Sequence, residues 1–172
     1  NLSRLQDSDP LQVAVELEIE DLISAAIDQS QISADNRQIM VSHTEAKDAL
    51  VLGDREQLVM AIQNLVENAI NYSPEGTKVS VNTTVDQGIV DISITDQGIG
   101  IPENEIDRIF ERFYRVDPAR SRQTGGTGLG LSIVKHVASK HGGEVTVWSV
   151  PGVGSTFSLR LPVYTPTQES VQ

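Results

Sequence analysis

Four short runs of this sequence carry residue types with chemistry to offer. The first is Asn64 and Asn68, four residues apart and therefore one turn from each other on one helix face. Their amide oxygens are hard, neutral donors of the kind Mg2+ accepts beside water and phosphate oxygens. The same pair also reads as the wet side of an amphipathic helix. The second run is Asp96-Gln97-Gly98-Ile99-Gly100, directly after the apolar stretch Ile92–Thr95. An ionised carboxylate only accepts hydrogen bonds, so Asp96 could take the exocyclic amine of adenine, with glycine backbone closing on the flat ring. A plain Asp-x-Gly turn is the alternative. The third run, Gly125-Gly126-Thr127-Gly128-Leu129-Gly130, opens a helix. Bare amides at a helix N-terminus attract anions, although a glycine-rich hinge would look the same. No Lys-Ser/Thr closes a P-loop here, and neither the preceding residues nor the spacing match a dinucleotide fingerprint. The fourth run is Arg108-Ile109-Phe110-Glu111-Arg112-Phe113-Tyr114-Arg115. Ile109, Phe110 and Phe113 make an apolar face and leave Arg112 and Arg115 for phosphates, or the run is an ordinary surface helix.

Elements of regular spacing must position these runs. Apolar residues alternate from Gln12 to Ile19, which predicts a strand. Leu22, Ile23, Ala26 and Ile27 predict a helix over Asp21–Gln29. Short strands are expected at Ile39–Ser42 and Leu50–Leu52. Asp54 starts a second helix, with Gln57 three residues on in the capping-box arrangement. Leu58, Ile62, Leu65 and Ala69 are its buried stripe, and Pro74 and Gly76 end the segment. Val79–Val85 and Ile89–Thr95 read as a hairpin turning at Asp86-Gln87-Gly88. A third helix is expected from Thr127 to His141, then strands at Glu144–Ser149 and Thr156–Leu161, with a polar tail after Pro162.

The totals narrow the function. At 172 residues with 38% hydrophobic and 22% charged, the chain suits one folded domain. A formal charge of -11 argues against nucleic acid and anionic membrane surfaces as partners. Five of the thirteen basic residues, Arg108, Arg112, Arg115, Arg120 and Arg122, nevertheless fall in one stretch. That cluster is either a solvated face or a local anion site. Cysteine is absent, so disulfides and thiolate metal sites are excluded. No apolar run is long enough to span a bilayer. Asn1 in place of Met suggests an excised fragment whose parent could still be anchored.

Taken together, NLVENAINYSPEG from Asn64, DQGIGIP from Asp96, RIFERFYRVD from Arg108 and GTGLGLSIVK from Gly126 resemble the ATP-binding catalytic domain of bacterial sensor histidine kinases. The likeness covers about Leu11 to Pro162 and is nearest the actinobacterial phosphate-sensing type. It implies an α/β (α+β) two-layer sandwich, the Bergerat fold. That fold has a mixed, mostly antiparallel sheet of about five strands, three main helices on one face and a mobile ATP lid. It implies a domain over residues 11–163, preceded at 1–10 by the end of a dimerisation helix and followed at 164–172 by a disordered tail. The cofactors implied are ATP and Mg2+. Asn68 matches the metal-binding asparagine and Asn64 its catalytic partner one turn earlier. Asp96 matches the adenine-reading carboxylate, with Gly98, Gly100 and Ile101 beside the ring, and Tyr72 an aromatic near the base. Arg115 matches a catalytic residue reaching the terminal phosphate. Gly126, Thr127, Gly128, Leu129 and Gly130 match the phosphate-contacting lid hinge, with the lid at about Val116–Gly125. One departure is Asn71, where many relatives carry a basic residue; Arg115, Arg120 or Arg122 are expected to compensate.

The resemblance also implies partners. The phosphoryl acceptor in the family is a histidine followed by an acidic residue. Here His43 precedes Thr44, His136 precedes Val137 and His141 precedes Gly142, so none fits. The chain is expected to bind Mg-ATP, to be monomeric alone, and not to phosphorylate itself. The acceptor lies on the dimerisation domain of a homodimeric, membrane-anchored parent with this domain on the cytoplasmic side, and a response regulator receives the phosphate. Three rivals stand beside this reading. A hydrolysing clamp of the same superfamily needs a Glu base where Asn64 stands. An anti-sigma-type serine kinase does not account for the helix remnant near Ser3–Leu5. A degenerate nucleotide sensor does not account for the intact asparagines and glycines.

Overall fold

The computed structural model describes residues 14–111 and 130–166. Strand β1 (Val15–Glu18) runs into helix α1 (Ile19–Asn36), followed by β2 (Met40–His43) and β3 (Leu50–Gly53). Helix α2 (Arg55–Asn71) precedes the hairpin β4 (Lys78–Asp86) and β5 (Ile89–Thr95). A 3-10 segment covers Glu103–Arg108. Helix α3 (Gly130–Lys140) then leads to the hairpin β6 (Glu144–Val150) and β7 (Gly154–Pro162).

The main sheet has five strands in the order β2-β4-β5-β7-β6, and only the β2–β4 pair is parallel. Period-two patterning builds it. Val79 and Val81 of β4, Val90, Ile92 and Ile94 of β5, and Phe157, Leu159 and Leu161 of β7 are all buried on one face. Ser93, Asp91, Ser158 and Arg160 alternate with them on the other, where Ser93 and Ser158 bond across the strands and Arg160 meets Asp91. Helix α2 lies over β4, β5 and β7, flanked by α1 and α3. It therefore buries more than the expected stripe: Val59, Ala61, Val66 and Ile70 are inside as well as Leu58, Ile62, Leu65 and Ala69. The expected mixed sheet and its covering helices are both present.

Several local expectations shift. Helix α1 starts earlier and ends later than the predicted span. Its buried face runs through Ile19, Leu22, Ile23, Ala26, Ser30 and Ala34. Ser30 is tolerated there because its hydroxyl donates to the Ala26 carbonyl at 3.0 Å. The Ile19–Asn36 helix leaves only Val15–Glu18 as strand, paired antiparallel with β3 in a separate small sheet. Gln87 (φ 51) and Gly88 (φ 80) are the two turn residues of the β4–β5 hairpin, both left-handed as a two-residue loop that follows strand twist requires. Only half of the capping box forms: the Asp54 carboxylate accepts from the Gln57 N–H at 3.2 Å, but the Asp54 N–H goes to His141 instead of the Gln57 side chain. The chain stays tied beyond Pro162, since Val163 N–H bonds the Gly88 carbonyl and Tyr164 N–H the Leu50 carbonyl. The expected dimerisation-helix remnant at 1–10 lies outside the described residues.

Candidate functional site

Strand β5 delivers Asp96 to a buried position, 7% exposed. Its backbone N–H donates to the Ser155 carbonyl at 2.9 Å, and Ser155 N–H returns to Asp96 Oδ1 at 3.1 Å. Gly98 N–H donates to the same oxygen at 2.8 Å. Both protein donors thus fall on Oδ1. Oδ2 receives none among the described residues and remains an acceptor for a ligand. Burial pushes the Asp96 carboxyl above the usual carboxylate range, while the Gly98 and Ser155 N–H groups pull it back.

The glycines explain how the loop after Asp96 can lie where it does. A Cβ on Gly98 would run into the Tyr72 carbonyl and sit 3.0 Å from Asp96 Oδ1. The Asp96 loop and the end of α2 are therefore in backbone contact. Gly100 (φ +76) is packed as tightly against the β6–β7 turn, where its Cβ would meet the Val150 carbonyl and, at 2.7 Å, Pro151 Cα. The following backbone is pinned there: Ile101 N–H donates to Ser149 Oγ at 2.7 Å, Gly152 N–H donates to the Ile99 carbonyl at 2.7 Å, and Ile101 is buried.

Helix α2 is the spine that joins these parts. Tyr72 caps its C-terminus, and Asn68 and Asn64 lie one and two turns back, all three half-buried. Gly130, the last glycine of the third run, sits at Asn64; a Cβ there would be 3.7 Å from Asn64 Oδ1. One side of α2 thus gathers Asn64 with Gly130, then Asn68, then Tyr72 with Gly98 and Asp96. The adjacent Glu67 turns elsewhere, accepting from Ser33 Oγ at 3.1 Å and Gln63 Nε2 at 3.4 Å. Neutral amide oxygens on one face and a carboxylate oxygen at its end suit a nucleotide carrying Mg2+ on its phosphates. Asn68 would bind the metal as one oxygen donor among phosphates and waters.

Of the Phe-rich run, Ile109 is buried and Phe110 packs edge-to-face on Phe157, ring centres 6.3 Å apart. The expected site residues Arg115, Gly126, Thr127, Gly128 and Leu129, together with Arg120, Arg122 and the lid, lie outside the described residues. Sequence reasoning missed Ser155 and Ser149, which hold the Asp96 loop through bonds that only strand register reveals. It also missed Arg37. That side chain donates from Nε to the Ile70 carbonyl at 3.1 Å and from Nη2 to the Ser73 carbonyl. A guanidinium on the last carbonyls of α2 meets the negative end of the helix dipole. Arg37→Ala is expected to destabilise the fold by about 1–2 kcal/mol, read as a lower melting temperature in thermal unfolding. An unchanged melt would show that the cap does not matter.

Similarity to known proteins places the chain in a family. The profile of the histidine kinase-, DNA gyrase B- and HSP90-like ATPases matches residues 53–165. Sensor-like histidine kinase SenX3 of Mycolicibacterium smegmatis is 50% identical over 169 residues, which is 98% of this chain and 44% of SenX3. Among solved structures, the mycobacterial sensor histidine kinase MprB superposes with a TM-score of 0.75 at 32% identity, covering 90% of this chain and 100% of that one. Full-length ShkA in complex with AMPPNP gives 0.81 at 27% identity, covering 96% of this chain and 34% of ShkA. The chain belongs to the histidine kinase-, DNA gyrase B- and HSP90-like ATPase family, in its sensor histidine kinase branch. It spans less than half the length of SenX3. Among the described residues no helix is long and apolar enough to cross a membrane.

Proposed function

We propose that this domain binds Mg-ATP and presents its γ-phosphoryl group to a histidine on a dimerisation domain outside the chain, for relay to a response regulator. The observation that carries the reading is Asp96. It is a buried carboxylate with one oxygen held by two backbone N–H groups, and it stands at the end of the helix that bears Asn64 and Asn68. In this reading Asp96 Oδ2 accepts the adenine amine, and Gly98, Gly100 and Ile101 line the ring with Tyr72 nearby. Asn68 holds the metal, Asn64 orients the phosphates beside Gly130, and Arg115 reaches the terminal phosphate with the glycines from Gly126 to Gly130. Mg2+, when bound, neutralises phosphate charge. The chain's own work is to hold the base, fix the phosphates in line and keep water from the reacting centre. Residues 1–10 are then the end of the dimerisation helix, and the parent is a membrane-anchored homodimer with this domain on the cytoplasmic side.

Two observations favour transfer over a hydrolysing clamp. Asn64 stands where a general base would be needed, and the oxygens of Glu67 are engaged with Ser33 and Gln63. Two of the three histidines are committed elsewhere: His43 pairs with Glu20 at 2.9 Å, and His141 is held between the Asp54 N–H and the Val137 carbonyl. Calorimetric titration of the domain with Mg-ATP is expected to give saturable heat, and γ-labelled ATP is expected to leave no stable label on the protein. Absence of heat would refute nucleotide binding. Stable label on the isolated domain would refute the external acceptor.

A further inference from the structure

We infer that His141 is a positioning residue for the nucleotide site: as a neutral imidazole it clamps the first turn of α2 to the end of α3 and so holds Asn64 against Gly130. The inference rests on the Mg-ATP reading above. His141 Nδ1 bonds the Val137 carbonyl at 2.8 Å, and its Nε2 faces the Asp54 N–H at 3.1 Å. A carbonyl can only accept and an amide N–H can only donate. The ring therefore carries its proton on Nδ1 and offers a lone pair on Nε2. Its Nε2 satisfies a donor at the start of α2 that the capping box would otherwise serve. Gly53 makes room for it, since a Cβ there would meet the ring's Cδ2 and, at 2.6 Å, its Nε2.

The reach of the clamp follows from helix geometry. Asn64 lies ten residues beyond Asp54, and Gly130 lies eleven before His141. At about 1.5 Å per residue, both are roughly 15 Å from the tie, and α2 runs away from it while α3 runs toward it. Two packed helix stretches of nearly equal length, pinned at one end, come level at the other. There Gly130 sits at Asn64. A slide of α3 along α2 would separate Asn64 from Gly130.

The clamp is sensitive to acid. Burial lowers the His141 pKa below its ordinary value, and the Lys140 ammonium adds to this. The Val137 carbonyl and the Asp54 carboxylate act the other way. Because the folded value is lowered, the contribution is complete above about pH 6.5 and declines as pH falls from there through the folded pKa. Protonation turns Nε2 into a donor facing another donor.

The test measures Mg-ATP affinity at pH 7.5 and 5.5, with hydrogen exchange of the Asp54 amide, in wild type, His141→Leu, His141→Gln and Gly53→Ala. Leucine removes the acceptor and is expected to weaken Mg-ATP about fivefold at pH 7.5 and to expose the Asp54 amide. Glutamine keeps a non-titrating acceptor and should bind within about twofold of wild type, with a smaller loss at pH 5.5. Gly53→Ala changes no polar group but displaces the ring, and should reproduce the leucine defect. Thermal melts identify any variant that fails to fold, and the wild-type pH comparison against glutamine then decides. Equal affinities and equal pH losses in all four proteins, with the Asp54 amide exposed in the leucine variant, would overturn the positioning role. If the wild type binds no Mg-ATP, the functional reading falls. The exchange data then judge the clamp alone, and unchanged protection in His141→Leu overturns it.

Discussion

Asp96→Asn is expected to weaken Mg-ATP binding about a hundredfold while leaving the domain as stable as wild type or more so. The two halves of this expectation come from the two carboxylate oxygens. Oδ1 accepts from the Gly98 and Ser155 N–H groups. An asparagine oxygen can take the same two bonds, so the loop stays in place. Oδ2 is the oxygen left for the ligand, and in the variant it becomes an NH2 group. If the ligand is the adenine nucleotide proposed above, that group faces the adenine amine and sets donor against donor in a buried site, where an unmet polar pair is costly. Stability moves the other way because burial raises the Asp96 pKa. An acid with a raised folded pKa destabilises the fold progressively as pH rises from about 3.9, its unfolded value, through the folded one. A neutral amide removes that cost at pH 7. Melting temperature and calorimetric affinity, measured on the same sample, check both halves. A variant that lost stability along with affinity would mean that Asp96 serves the fold and not the ligand.

The sequence drew attention to both ends of the candidate site. Asp96 stands after an apolar strand and before two glycines, and the asparagines are four residues apart on an amphipathic helix. Each pattern alone also fits a plain turn or a wet helix face, and it is their combination with the other two runs that resembles the family. Both signals are local, because the residues that form the feature are neighbours in sequence. What escaped is non-local. Ser155 reaches Asp96 across 59 residues and His141 reaches Asp54 across 87. Nothing near either residue announces its partner. The Asp54 case is instructive, since the local pattern did anticipate a capping box. The structure keeps the half within the helix and replaces the other half with a histidine from α3. The buried Gln57 Oε1, left without a hydrogen-bond partner among the described residues, marks that substitution. The length of α1 escaped for a different reason. Ser30 breaks an apolar pattern read by hydropathy, yet its hydroxyl is satisfied inside the helix, so burial continues to Ala34.

Gly98→Ala should lose Mg-ATP binding to the limit of detection and lower stability by about 1–3 kcal/mol. The reason is steric. Gly98 has no left-handed backbone to explain its type, unlike Gly100. It is glycine because the Tyr72 carbonyl occupies the space of a side chain. Backbone on both sides of a contact cannot rotate out of the way as a side-chain tip can. A methyl group must therefore push the Asp96 loop off the end of α2. That movement breaks the Gly98 N–H bond to Asp96 Oδ1, frees the carboxylate to turn, and separates Asp96 from the asparagine face. Gly88→Ala is the matched control. Gly88 is left-handed at φ +80, but a Cβ there meets nothing within 4 Å. It should cost about 1–2 kcal/mol through backbone strain alone and leave Mg-ATP affinity unchanged. Comparable stability losses, with affinity lost in Gly98→Ala and kept in Gly88→Ala, would separate a glycine required by the turn from one required by the site. If Gly98→Ala bound Mg-ATP as tightly as Gly88→Ala, the contact between the Asp96 loop and α2 would have no part in holding the nucleotide.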